Sequence, residues 1–169
     1  MLTKARAFAV QAHGDQKYGD RPYSFHLDMV ANNLAAYGEQ AQVIGYLHDV
    51  VEDTSVTKDK IEEEFGSLVA ECVGLLTDEP GANRKERKAK TYEKLSRVSG
   101  QSELALVVKV ADRLANVTAC VADGKRSLWE VYLSEQAAFK KAAYRAGLCD
   151  QLWADLESQL QEGALDRRV

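Results

Sequence analysis

The chain has 169 residues, of which 46% are apolar and 28% charged, and its formal net charge at pH 7 is −4. A chain of this length buries about 70% of the surface that it exposes when unfolded, so it folds without disulfides or a structural metal. The composition excludes a disordered or low-complexity protein, and the negative net charge argues against a protein whose main partner is nucleic acid.

The spacing of apolar residues predicts helices along almost the whole chain. Only two prolines occur, and no long run alternates between apolar and polar residues as a half-buried strand would. The expected fold is therefore an all-α, single-domain helical bundle over residues 1–169, with a motif-bearing part at 2–121 and C-terminal helices within 125–162. The predicted helices cover residues 2–12, 22–36, 40–53, 57–65, 68–76, 84–98, 102–122, 134–145 and 148–161.

Three residues set the predicted boundaries of two of these helices. Pro22 is expected in the first turn of the second helix, where its missing N–H costs nothing. Thr57 is expected to cap the N-terminus of the fourth helix, and Gly66 is expected to end it.

The segment 43–54 (VIGYLHDVVEDT) places four ionisable groups within an otherwise apolar helix. His48 and Glu52 would share one helix face, and Asp49 and Asp53 a second face about 100° away. Charged groups in apolar surroundings need partners, or their pKa values shift until they are neutral. A divalent cation is an efficient partner because it satisfies several carboxylates at once.

A second apolar helix, residues 106–117, carries a polar edge formed by Asp112 and Asn116. Two buried helices with polar edges indicate a site shared between them. The candidate metal ligands are two imidazoles and two carboxylates: His26, His48, Asp49 and Asp112. Such a set suits Mn, Fe, Co or Zn. The alternative is that the histidines are hydrogen-bonded structural residues and that Asp112 forms an ordinary surface ion pair with Arg113.

Four segments in chain order resemble the HD-domain phosphohydrolases of the (p)ppGpp (alarmone) hydrolase family, which includes the stand-alone small alarmone hydrolases. The segments are 12–26 (AHGDQ, then RPYSFH), 47–54 (LHDVVEDT), 76–88 (LTD, then RKERK) and 109–116 (KVADRLAN). The string at 47–54 is the most specific of them. The order and spacing of all four make the resemblance stronger than any single motif.

The resemblance implies a bundle of the HD-domain type and a metal-dependent enzyme that cleaves (p)ppGpp to pyrophosphate and GDP or GTP. It implies one divalent metal ion, most commonly Mn²⁺, on the four candidate ligands. Glu52 and Asp53 match the family's acidic pair beside the attacking water. Tyr23 and Arg84 match positions that line its substrate pocket, and Asn116 matches a residue that contacts the nucleotide's sugar.

The loop before Pro22 departs from the family pattern. The family has an Arg-Lys pair where this chain has Lys17 and Tyr18, and lysine lacks the planar guanidinium that stacks on a purine. Tyr18 can stack instead, while Lys17, Arg84 and Lys88 are candidates to hold a polyphosphate. The alternative function is therefore an HD-domain phosphatase or nucleotidase acting on another phosphorylated nucleotide.

The remaining features bear on location and partners. No stretch approaches 18 apolar residues, and the first residues lack the apolar run of a signal peptide. Three cysteines without a Cys-x-x-Cys pair fit a reducing cytoplasm. Trp129 and Trp153 are expected in the core or between the subunits of a homo-oligomer, and His13 is expected to support the loop or to pack near the site. The expected partner is a small-molecule nucleotide, with neither nucleic acid nor a membrane.

Overall fold

The computed structural model describes residues 1–165 and confirms the all-α helical bundle. Two 3₁₀ helices, Ala35–Tyr37 and Gly100–Glu103, lie between the longer elements. The helices and strands, in chain order, are α1 (Leu2–His13), β1 (Lys17–Tyr18), β2 (Arg21–Pro22), α2 (Ser24–Asn33), α3 (Glu39–Leu47), α4 (Val50–Asp53), α5 (Lys58–Phe65), α6 (Ser67–Leu76), α7 (Arg84–Ser96), α8 (Leu104–Ala122), α9 (Arg126–Ala143) and α10 (Asp150–Leu165).

Helix α8 lies at the centre of the bundle and contacts α2, α3, α6, α9 and α10. Its residues are buried on nearly every side, including Leu106, Val108 and Val117. A helix with apolar residues on most of its faces must be enclosed by others. Because Asp112 lies in the middle of α8, this packing carries a carboxylate into the interior of the protein.

The second helix begins at Ser24, so the prediction that Pro22 opens it is wrong. Pro22 belongs instead to β2, which pairs antiparallel with β1 in a small hairpin covering residues 17–22. Gly19 begins the turn between the strands with φ of 60°, a conformation that glycine adopts without steric cost. Strands of two residues are too short for apolar periodicity to reveal, which is why the sequence indicated only a polar loop.

The single helix predicted over residues 40–53 is divided into α3 and α4. His48 and Asp49 form the break, and Asp49 has φ of −100° and ψ of −6°. The predicted continuous helix that would place His48 and Glu52 on one face is therefore interrupted, because His48 lies in the break and Glu52 lies in α4. Apolar periodicity continues through residues 40–53 and gives no sign of the interruption.

The C-terminal helices also differ from the prediction, since α9 begins at Arg126 rather than at residue 134. Both tryptophans are buried, Trp129 at 2% exposure and Trp153 at 3%, which confirms their core location. Thr57 caps α5 as predicted, with its hydroxyl oxygen accepting from the Lys60 N–H at 3.3 Å. Over residues 1–165, no helix has both the length and the apolar composition needed to cross a membrane.

The contact between α9 and α10 gives a test of the C-terminal packing. A Cβ at Gly163 would lie 2.3 Å from Trp129 Nε1, so Gly163→Ala is expected to lower the free energy of unfolding by about 1–3 kcal/mol. Gly74→Ala is the control, because its Cβ would lie 3.5 Å from Lys58 Cδ and should stabilise α6 by about 0.5–1 kcal/mol. Urea unfolding measures both, and shifts of the same sign would contradict the packing described.

Candidate active site

Four polar side chains from distant parts of the chain converge beside α8. His26 comes from α2, His48 and Asp49 from the break after α3, and Asp112 from α8. The Nε2 atoms of His26 and His48 lie 3.3 Å apart, and Asp112 Oδ1 lies 3.3 Å from the first and 3.5 Å from the second. Asp49 Oδ2 lies 3.0 Å from His48 Nε2. The structure thus brings all four candidate metal ligands together.

The hydrogen bonds of His48 test whether this cluster fits a cation. Its Nδ1–H donates to the Gly45 carbonyl at 2.7 Å, which leaves the Nε2 lone pair of the neutral ring facing the carboxylates. Acceptor atoms from His48, Asp49 and Asp112 therefore face one another, and only positive charge among them makes this favourable. Although burial opposes it, Asp49 and Asp112 raise the pKa of His48 well above its usual value. The nitrogen and oxygen donors fit a divalent transition metal.

Neighbouring hydrogen bonds fix the orientation of the two carboxylates. The Tyr23 hydroxyl donates to Asp49 Oδ2 at 2.5 Å, and the Asn116 amide donates to Asp112 Oδ1 at 2.6 Å. The Tyr18 hydroxyl in turn donates to Asn116 Oδ1 at 2.9 Å. Such outer partners hold metal ligands in their productive orientation. Burial and the charge of Asp49 raise the pKa of Tyr23 far above its usual value, so it stays a donor at neutral pH.

A cavity of about 120 Å³ opens beside these residues. Its lining combines ligands from the cluster with aromatic rings, one further carboxylate and four cationic side chains. A small cavity lined by polar and charged side chains is suited to bind a charged group rather than an apolar ligand. The lining residues are Tyr18, Tyr23, His26, Asp49, Glu52, Arg84, Lys88, Lys109, Asp112, Arg113, Asn116 and Tyr132.

The cations of the cavity are held by hydrogen bonds and ion pairs. Lys109 is buried and donates to the Leu76 carbonyl at 3.1 Å, while Lys88 pairs with Asp78 at 2.8 Å. Burial and the neighbouring charge of Lys109 lower the pKa of Lys88. Like charges crowded around one cavity favour a bound anion.

The structure separates the predicted catalytic carboxylates. Glu52 lines the cavity, and its Oε2 accepts from the Asp78 N–H at 2.8 Å. Desolvation by its neighbours raises the pKa of Glu52. Asp53 is not among the lining residues, and its Oδ2 accepts from Gln16 Nε2 at 2.9 Å. Lys17 is exposed on β1 and does not line the cavity either.

Of the other predicted contacts, Tyr23, Arg84 and Asn116 all reach the cavity. His13 stacks on Tyr23 with ring centroids 4.3 Å apart, which agrees with its expected place near the site. No role was predicted for Lys109, although it lies one helical turn before Asp112 and so shares its helix face. Tyr132 lies outside the four motif segments, and nothing in the sequence indicated that it reaches the site.

Comparison with known proteins decides the family. The sequence profile described as HD domain matches residues 5–149 of this chain. The chain belongs to the HD-domain family. This result confirms the fold type that the four motif segments indicated.

Several relatives of this chain have names that describe hydrolysis of one nucleotide. The chain is 35% identical over 119 residues to the guanosine-3′,5′-bis(diphosphate) 3′-pyrophosphohydrolase of Aquifex aeolicus. The matched segment covers 69% of this chain but only 17% of that relative. It is 35% identical over 124 residues to the zebrafish (Danio rerio) protein named guanosine-3′,5′-bis(diphosphate) 3′-pyrophosphohydrolase MESH1, of which it covers 67%.

Solved structures extend the likeness to the whole HD-domain bundle. A metazoan ortholog of SpoT, described as hydrolysing ppGpp, matches with a TM-score of 0.68 and 25% identity, over 99% of this chain and 95% of that one. The protein lmo0812 of Listeria monocytogenes EGD-e matches with a TM-score of 0.61 and 26% identity, over 80% of this chain and 94% of that one. The C-terminal helices are thus part of the shared architecture.

The Tyr23–Asp49 hydrogen bond gives a test of the candidate metal centre in this HD-domain protein. Tyr23→Phe removes only the hydroxyl that orients Asp49, so metal affinity is expected to fall about 10–100-fold. Competition with a chromogenic chelator measures the affinity. Tyr46→Phe is the matched control, because the Tyr46 hydroxyl donates to Asp28 at 3.1 Å instead. Equal affinities for the two variants would show that Tyr23 does not support the centre.

Proposed function

We propose that this protein is a metal-dependent guanosine-3′,5′-bis(diphosphate) 3′-pyrophosphohydrolase, which cleaves (p)ppGpp to pyrophosphate and GDP or GTP. The proposal is carried by the likeness to the metazoan ortholog of SpoT that hydrolyses ppGpp, which extends over 99% of this chain. A compact cavity that combines candidate metal ligands, a carboxylate and four cations supports the same reaction.

We assign one divalent metal ion to His26, His48, Asp49 and Asp112. Mn²⁺ is our proposal for the ion, and Fe, Co and Zn also accept this ligand set. A metal bound there supplies charge that lowers the pKa of water and neutralises phosphate. Tyr23 and Asn116 keep the two carboxylates turned towards the histidines through the hydrogen bonds described above.

Glu52 is the residue that we assign to proton transfer. Its carboxylate lines the cavity, and the Asp78 N–H fixes one of its oxygens. In the reaction, a water oxygen attacks the phosphorus bonded to O3′, and the bond from that phosphorus to O3′ breaks. Glu52 accepts a proton from the attacking water and afterwards releases it to solvent, and the O3′ leaving group takes up one proton from solvent, giving pyrophosphate and the 5′-phosphorylated nucleoside.

The remaining predicted residues take positioning roles in this proposal. Asp53 lies next in sequence to Glu52 and bonds to Gln16, so we assign it to supporting this edge of the site rather than to the first proton transfer. Arg84 and Lys88 neutralise phosphate charge from within the cavity. Lys17, exposed on the hairpin, extends positive charge towards the part of the substrate outside the cavity.

The direct test follows pyrophosphate release from ppGpp by the purified protein with Mn²⁺. We expect turnover that disappears on chelation and returns when Mn²⁺ is added. An intact, metal-loaded protein that leaves ppGpp untouched but rapidly hydrolyses a different nucleotide would rule out the alarmone assignment.

A second candidate is an HD-domain phosphatase or nucleotidase with another phosphorylated nucleotide as substrate. One observation favours it: the Tyr18 hydroxyl already bonds to Asn116 Oδ1, the residue that the family resemblance assigns to the sugar. Tyr18 also stacks on the His26 ring, with centroids 4.8 Å apart, and is one of the residues that line the cavity. A panel of phosphorylated nucleotides assayed with Mn²⁺ distinguishes the two functions through their relative kcat/KM values.

A further inference from the structure

Two arginines from different helices meet at the end of the cavity near α9. Arg84 begins α7, and Arg113 follows Asp112 on α8. Both line the cavity. Arg113 is buried, with 5% of its surface exposed, and an arginine is rarely so enclosed unless other groups compensate its charge.

One carboxylate of α9 contacts both guanidinium groups. Arg84 donates to Glu135 through Nε at 2.8 Å and through Nη2 at 3.2 Å. Arg113 Nη1 lies 3.3 Å from the same carboxylate. One helical turn earlier, the Tyr132 ring lies 5.6 Å from the Arg84 guanidinium carbon and 5.0 Å from that of Arg113. Glu135 and Tyr132 thus hold two like charges side by side.

Both arginines keep N–H groups that form no hydrogen bond in these contacts. Arg113 Nη2 donates to the Tyr92 hydroxyl at 2.5 Å, whereas its buried Nη1 lies 3.3 Å from the Glu135 carboxylate but forms no hydrogen bond. Arg84 binds Glu135 through one edge only, so its Nη1 side is free of that carboxylate. A buried N–H that forms no hydrogen bond is costly, and here it belongs to a cation that lines the cavity. These donors fit the oxygens of a phosphate group.

We propose that Arg113 and Arg84 form a guanidinium pair that binds one phosphate group of a diphosphate, and that Glu135 is the positioning residue of this pair. The identity of the diphosphate rests on the proposed function, whereas the pair itself rests on the contacts above. A diphosphate presents one phosphate group to the candidate metal ligands and the other to the arginines. The pair would thereby favour diphosphates over monophosphates.

Geometry and simple electrostatics give opposite expectations for Glu135. Removing a carboxylate beside two cations should strengthen the binding of an anion if charge alone matters. Without Glu135, however, the two guanidinium groups repel each other, and Arg84 regains the side-chain freedom that binding must then remove. The positioning role therefore predicts weaker binding after the acidic group is removed.

The first experiment measures binding of inorganic pyrophosphate to protein loaded with one equivalent of Mn²⁺, by calorimetry. Glu135→Ala is expected to weaken pyrophosphate binding about 10-fold, as for loss of a charge-assisted hydrogen bond. Glu135→Gln should recover part of that loss, because its amide oxygen still accepts from Arg84 Nε. Binding by Glu135→Ala that is unchanged or tighter than wild type would overturn the positioning role.

Glu157→Ala is the matched control for charge. Glu157 pairs with Lys140 between α10 and α9, away from the residues that line the cavity. The Glu157→Ala substitution removes the same charge as Glu135→Ala, and we expect this variant to bind pyrophosphate with wild-type affinity. Thermal unfolding and metal content of each variant show whether the fold and the metal centre are intact.

Arg113→Lys tests the pair without removing its charge. Lysine cannot reproduce the fork of N–H donors, so pyrophosphate binding is expected to weaken about 10-fold while orthophosphate binding changes less. With a turned-over substrate, KM should rise and kcat should be largely retained, as for loss of ground-state binding. Unchanged pyrophosphate affinity in Arg113→Lys would remove Arg113 from the site. Because the titration needs no turnover, a failure of the ppGpp assay would not affect this result.

Discussion

Asp49→Asn is expected to leave the protein folded but without stoichiometric metal, and to lower hydrolysis by on the order of 10³-fold, since the metal contributes several kcal/mol. Asparagine keeps the shape of the side chain and an oxygen for the Tyr23 hydroxyl, so the change is confined to charge. That charge matters because Asp49 faces the imidazole nitrogens of His26 and His48 at 3.7 and 3.0 Å. Metal analysis of protein purified without chelator, together with the rate of pyrophosphate release, measures both effects.

Asp28→Asn provides the control for this experiment. Asp28 lies on α2, as His26 does, but its carboxylate pairs with Arg6 at 2.7 Å and lies outside the cavity lining. We expect its metal content and activity to match the wild type. If Asp49→Asn retained one metal per chain with normal activity, the assignment of the metal centre would be wrong.

Glu52→Gln is expected to retain the metal and to lower kcat by about 10²–10⁴-fold, the usual contribution of a general acid or base. Glutamine still accepts from the Asp78 N–H through its amide oxygen, so the geometry of the cavity mouth is preserved. It cannot accept the proton of the attacking water. Steady-state kinetics with metal analysis of the same preparation separate this loss from a loss of metal.

Asp53→Asn is the informative companion to Glu52→Gln. Asp53 bonds to Gln16 and does not line the cavity, so its replacement should cost less in kcat than replacement of Glu52. A larger loss for Asp53→Asn than for Glu52→Gln would reverse the two roles and require Asp53 to turn towards the substrate.

The sequence indicated the helical class and the residues that meet at the centre, for reasons that are local. Period-3.6 apolar spacing and two polar interruptions, around His48 and around Asp112, are properties of neighbouring residues. The same spacing continues through the break at Asp49, so it predicted one helix where the structure has α3 and α4. Whether a helix is interrupted depends on what each side of the segment packs against, and apolar periodicity contains no information on that packing.

The sequence by itself predicted the candidate metal ligands, two imidazoles and two carboxylates in largely apolar segments, together with the motifs that place the chain among HD-domain proteins. Only the tertiary structure decided that Glu52 rather than Asp53 lines the cavity, and that Glu135 of α9 gathers Arg84 and Arg113. Hydrogen bonds and ion pairs between residues far apart in the chain form only when packing of the core has fixed the distances between them. A local sequence pattern therefore could not predict them.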